Sequence, residues 1–88
     1  MKLRIYRQGQ ATIEAEVDAV TMPGAAGQIT PMSGHDILLT PLKEGALFFR
    51  PIEKGGAGER RDYTMGSGFM EVLRDCVSVF TTRAEPSK

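Results

Sequence analysis

The chain has 88 residues, with 11 basic and 11 acidic side chains and one His, for a formal net charge of zero. That length sets one domain with a thin stability margin, and at 41 % hydrophobic and 25 % charged the composition is that of a folded globule. Neutrality argues against a nucleic-acid binder, no apolar run approaches the ~18 residues of a membrane span, and Lys2 and Arg4 stand where a signal peptide would be apolar.

No window repeats apolar positions at three-and-four spacing, so no helix is expected. Leu3 and Ile5 alternate with Lys2 and Arg4 and predict a strand over residues 2–7, ended by a Gly9-Gln10 turn. Residues 11–22 are extended. Ile13, Ala15, Val17 and Ala19 share one face, whereas Val20 and Met22 share the other. Such an even-odd switch marks a β-bulge or a strand passing between sheets; two strands joined by a turn are the alternative. Residues 23–27 form a Pro/Gly loop, and residues 28–32, interrupted by Pro31, are at best an edge strand. After a turn at residues 33–36, the unalternating run Ile37-Leu38-Leu39-Thr40 predicts a short strand covered on both faces. Pro41 to Gly45 is read as a turn, residues 46–50 as a strand ended by Pro51, and residues 53–61, with Gly55, Gly56 and Gly58, as a flexible loop. Residues 62–65, 68–73 and 76–82 close the fold, the last two joined through Arg74-Asp75. The polar tail 84–88 is expected to fray. Many short strands between turns give an all-β sandwich or barrel, with Ile37, Leu38, Leu39, Leu47, Val72, Val77 and Val79 in its core.

Templates for catalysis fail one by one. Gly55-Gly56-Ala57-Gly58 lacks the Lys-Ser/Thr pair and following helix of a phosphate loop. Gly66-Ser67-Gly68 lacks the flanking spacing of a nucleophile elbow. His35 and Asp36 are adjacent, so on an extended chain they point apart, which leaves His35 a structural or interface residue. Cys76, in an alternating apolar run, reads as a buried small hydrophobe, and as a lone cysteine it favours a reducing compartment. Arg60-Arg61, flanked by Glu59 and Asp62, is a solvated charge pair.

The order of motifs carries more than any one of them. Val17-Asp18-Ala19-Val20-Thr21-Met22-Pro23-Gly24 and Gly27 precede Gly34-His35-Asp36-Ile37-Leu38-Leu39-Thr40, then Leu42-Lys43-Glu44-Gly45-Ala46-Leu47. Gly66-Ser67-Gly68-Phe69-Met70-Glu71-Val72 and Val77-Ser78-Val79-Phe80 follow. This string, over residues 2–85, resembles the N-terminal domain of the epsilon subunit of rotary F-type ATP synthases, called delta in mitochondria. The sequence departs from the family pattern at Gln28, where an acidic residue is usual, and at Ser33, where a Pro is usual.

The resemblance implies an all-β, ten-stranded β-sandwich of two five-stranded sheets over residues 1–85, with 86–88 a disordered tail. It implies a non-catalytic central-stalk subunit that docks gamma onto the c-ring and helps couple proton flow to ATP synthesis and hydrolysis. No catalytic, cofactor or metal residues are expected. The place implied is the cytoplasmic face of a bacterial inner membrane, peripheral, with an organellar equivalent open. Gln28, Ile29, Thr30, Pro31 and Met32 would face the c-ring; His35 and Thr40 would face gamma. Ile29 and Met32 are apolar in a Pro/Gly-framed loop, as partner anchors or as caps on the sandwich. Most family members continue into a helical hairpin that inhibits hydrolysis and in some binds ATP; this chain stops at Lys88, where that hairpin would begin, so residues 1–88 are expected to bind no ATP. The alternative function is a free-standing β-sandwich carrier or ligand-binding module, which needs a deep apolar pocket.

Overall fold

The computed structural model describes residues 1–31 and 38–87. These residues form ten strands and no helix: β1 (Lys2–Arg7), β2 (Ile13–Gly24), β3 (Gly27–Ile29), β4 (Leu38–Leu42), β5 (Gly45–Glu53), β6 (Gly56–Ala57), β7 (Arg61–Met65), β8 (Gly68–Leu73), β9 (Cys76–Thr81) and β10 (Ala84–Pro86). One layer runs β1-β9-β8-β4 and the other β2-β5-β7-β10; β3 adds to β2 and β6 to β5. The β1–β9 pair is parallel and the other pairs are antiparallel.

The long β2 is what turns two layers into one closed core. Its first residues pair with β1, Lys2 opposite Glu16 and Ile5 opposite Ile13. The register then shifts between Val17 and Val20, and Val20 and Thr21 pair with Phe49 and Phe48 of β5. The even-odd switch is therefore a bulge at which one strand changes layer. Val17 and Val20 consequently both point inward, although they are an odd number of residues apart.

Alternation along each strand fills the space between the layers. Leu3, Ile5, Met70, Val72, Val77 and Val79 come from one side, and Val17, Val20, Met22, Leu47, Phe49 and Met65 from the other. Leu47, Val72, Val77 and Val79 are buried as expected. Leu39 is not: it is 65 % exposed, because β4 is covered on one face only and its neighbours alternate in and out like any antiparallel strand. Ile37 and the side chain of Leu38 lie outside the described residues. Cys76, also expected inside, is half-exposed on the outer face of β9.

Both prolines read as strand ends lie within strands. The Pro41 carbonyl accepts from Ala25 N–H (3.4 Å), away from β8. The nitrogen of a strand residue points to the same side as its carbonyl, so the missing N–H removes no β4–β8 bond. Likewise the Pro51 carbonyl accepts from Gly58 N–H at 2.7 Å, leaving the β2 side of β5 intact. The loop 53–61 is pinned by the small β5–β6 hairpin, Ile52 opposite Ala57. The tail expected to fray instead forms β10: Ala84 is fully buried opposite Met65, and Ser87 N–H reaches the Asp62 carbonyl at 2.8 Å.

Candidate functional site

The segment expected to meet a ring partner, residues 28–32, begins in β3, the second strand of the β2–β3 hairpin. Met22 pairs with Ile29 and Gly24 with Gly27, leaving Ala25-Ala26 as a two-residue tip. Gln28 and Thr30 are exposed, Ile29 is half-buried against the core, and Pro31 is buried. Ile29 lies where a Cβ on Gly24 would sit, so only glycine leaves room for it. The Thr30 and Thr21 hydroxyls are 2.9 Å apart and hold the segment to β2. Residues 23–31 carry no charge; Gln28 and Thr30 are the exposed polar side chains here, and Ile29 packs against the core. Met32 lies outside the described residues, as does His35. Thr40 is half-buried on β4, opposite Met70. The structure thus brings Gln28 and Thr30 together and leaves Thr40 on a different strand.

The β4–β5 turn lies beside this hairpin. Lys43 N–H bonds the Pro23 carbonyl at 2.9 Å, and Glu44 pairs with Arg83 at 3.1 Å.

The outer faces of the two layers differ. On the second layer the Arg60 guanidinium lies 3.9 Å over the Phe48 ring and is held by Asp62 at 2.8 Å. Arg60 and Phe48 line, with Phe49, Arg50, Ala19 and Thr21, an open groove of about 230 Å³. On the first layer, Phe69, Leu73 and Leu39 are exposed, and the rings of Tyr6, Phe80 and Phe69 stack in a row at centroid spacings of 4.9 Å. Sequence reasoning missed this face. Its signal was the second apolar parity of β8, with Phe69 and Leu73 opposite Met70 and Val72.

The N-terminus was also missed. Met1 packs into the core, and its ammonium donates to Glu16 at 2.7 Å and lies 3.6 Å from Asp75. The hydrogen bond to the Glu16 carboxylate raises the ammonium pKa above its usual value, against the lowering effect of burial. Among the described residues no three His, Cys, Asp or Glu side chains cluster as metal ligands.

The family described as ATP synthase, Delta/Epsilon chain, beta-sandwich domain matches residues 1–87. Among curated relatives, the ATP synthase epsilon chain of Desulforapulum autotrophicum is 34 % identical over 83 residues, covering 94 % of this chain and 58 % of that one. The epsilon chain of Synechococcus sp. is 33 % identical over 87 residues, covering 99 % and 61 %. This chain therefore spans about three fifths of the length of the curated relatives it matches. A chain in the structure of the Euglena gracilis mitochondrial ATP synthase, OSCP/F1/c-ring, superposes with a TM-score of 0.74 at 25 % identity, covering 96 % of this chain and 51 % of that one. A chain in the Tetrahymena thermophila mitochondrial ATP synthase central stalk and c-ring shares the fold, with a TM-score of 0.71 at 13 % identity, covering 96 % and 64 %.

Proposed function

The chain belongs to the ATP synthase delta/epsilon family, whose β-sandwich domain it carries, and on that premise we propose that it is a non-catalytic rotor component that docks gamma onto the c-ring of an F-type ATP synthase. The observation that carries this reading is the family match across residues 1–87 on a chain whose ten strands close one sandwich. A part whose task is to transmit torque needs a rigid body and partner surfaces rather than a pocket. The membrane association is then peripheral, through the complex, at the cytoplasmic face of a bacterial inner membrane.

The uncharged segment 28–32 is the c-ring contact, with Gln28 and Thr30 as its polar groups, and His35 and Thr40 belong to the gamma side. A neutral, hydrogen-bonding surface suits polar ring loops without fixing a salt-dependent pair. Because Ile29 is packed against the core, the informative variant changes exposed residues only. Gln28→Lys with Thr30→Lys should leave the β spectrum and gamma binding unchanged and weaken association with gamma-free c-rings about tenfold or more, equivalent to at least ~1.4 kcal/mol. Unchanged c-ring affinity would remove this segment from the interface.

A further inference from the structure

The second layer has two edges, β3 and β10, and their outward backbone groups differ. On β10, Ser87 N–H and the Arg83 carbonyl bond to β7, so Ala84 and Pro86 turn their backbone groups outward. That edge is blunted: the Ala84 carbonyl accepts from Arg7 Nη1 at 3.2 Å, and Pro86 has no N–H to offer. On β3, Gln28 stands opposite Pro23, whose carbonyl turns away from β3 to accept Lys43 N–H at 2.9 Å. Opposite residues of an antiparallel pair either bond to each other or both turn away, so Gln28 N–H and C=O face away from β2. Ile29, opposite Met22, belongs to the next pair, which bonds across the ladder. Thr30 follows, its hydroxyl 2.9 Å from that of Thr21. That close side-chain approach is the mark of a pair without ladder bonds, so Thr30 N–H and C=O face outward too. Among the described residues these outward groups of Gln28 and Thr30 have no hydrogen-bond partner, and residues 27–30 hold neither proline nor charge.

We propose that the open edge of β3 receives a short extended stretch of a polar c-ring loop, which adds beside Gln28 and Thr30 as a further strand through main-chain hydrogen bonds. This rests on the ring contact proposed above and specifies how that contact is made. Gln28 to Thr30 spans about 7 Å at ~3.3 Å per residue, so a loop of a few residues is long enough to reach both. The mode accounts for the missing charge of the segment. Charged side chains and proline are the usual means of stopping strand addition at an edge, and β10 shows that this same layer uses proline and a covering arginine where addition is to be prevented. The edge is also held ready before a partner arrives. Ile29 packs against the core in the space left by Gly24, and the Thr21–Thr30 contact fixes the end of the segment to β2. Ordering that is already complete in the free chain does not have to be supplied on binding.

Amide hydrogen exchange in the complex of this chain with gamma, with and without the c-ring, reads these bonds directly. The Gln28 and Thr30 amides should exchange about tenfold more slowly or less once the ring is bound, whereas the Ile29 amide, already in the ladder, should be protected in both. Gln28→Pro removes an outward N–H and no ladder bond, so it should keep the β spectrum and gamma binding and weaken ring binding about tenfold or more. Gln28→Ala loses only the side chain and should stay within about threefold of the parent. If Gln28→Lys with Thr30→Lys weakens ring binding but the two amides gain no protection, or if Gln28→Ala loses as much as Gln28→Pro, side chains make the contact; strand addition is then overturned while the ring contact stands. A dimer of the chain alone in which both amides are protected would put a second copy on this edge and overturn the proposal. Unchanged ring affinity in the Lys pair would remove the ring contact and the proposal with it.

Discussion

Among the described residues Thr81 is the buried polar one, and its hydroxyl joins two turns. Its oxygen lies 2.9 Å from the Gly66 carbonyl, 3.1 Å from that of Ser67 and 3.0 Å from that of Arg83. Arg83 and Ser67 carbonyls also accept backbone N–H groups, from Gly66 and Thr82, whereas among the described residues Gly66 O accepts only from Thr81. Thr81→Val keeps the volume but leaves that acceptor unsatisfied, and should cost about 1–3 kcal/mol in denaturant unfolding; a neutral result would mean that the hydroxyl does not tie the turns. At the other end of the chain, the raised pKa of the Met1 ammonium carries a pH signature. The folded value lies above the unfolded one, so the stabilisation is complete below about pH 8 and is lost as pH rises through the folded value. Unfolding midpoints at pH 7 and pH 10 should therefore converge in Glu16→Gln relative to the parent. An equal fall in both chains would assign the loss to other groups. Nothing in the sequence pattern marks Met1 as a core residue, since its burial follows from the parallel β1–β9 pairing that brings Asp75 to it. The candidate site was legible only in part: Gln28 and Thr30 are surface residues as a polar loop requires, but the inward turn of Ile29 depends on the gap left by Gly24.

Strands show why one layer was easier to read than the other. The parity switch in residues 13–22 was visible because Val17 and Val20 are both large and apolar, and the bulge followed from it. In β8 the same kind of pattern has two apolar faces, Met70 and Val72 against Phe69 and Leu73, and alternation cannot say which face another layer covers. Leu39 failed for that reason, and Pro41 and Pro51 failed because a proline is tolerated wherever its nitrogen faces away from the ladder. β10 is three residues long, and only its pairing with β7 makes it a strand. The two leucines on either side of this distinction give a direct comparison. Leu47→Ala, in the fully buried middle of β5, should cost about 2–5 kcal/mol, whereas Leu39→Ala should stay within about 0.5 kcal/mol. Comparable losses would put Leu39 back in a core. Gly68 is fixed by close approach, as a Cβ there would overlap the Phe80 carbonyl oxygen, which explains why this turn carries glycine where the strands meet.

At the scale of the whole molecule, a closed sandwich is proposed to serve as one part of a larger machine. The all-β class was legible in the residues because the longer strands alternate between turns, whereas the strand order was not, since pairing joins segments far apart in the chain. The function was not, since a rotor body has no chemistry of its own for residue types to betray; it entered through the order of motifs along the chain. Residues 1–88 should bind no ATP, for the Gly55–Gly58 segment is a β-hairpin end with no helix behind it to receive phosphate, and a calorimetric titration showing micromolar binding would contradict this. The most direct measurement is co-elution of the 88-residue chain with the gamma subunit and c-ring of its own ATP synthase in size-exclusion chromatography. The predicted result is a stoichiometric complex in which the chain is retained only when gamma is present or the ring is supplied. A chain that elutes alone, folded, in the presence of both would contradict the rotor assignment.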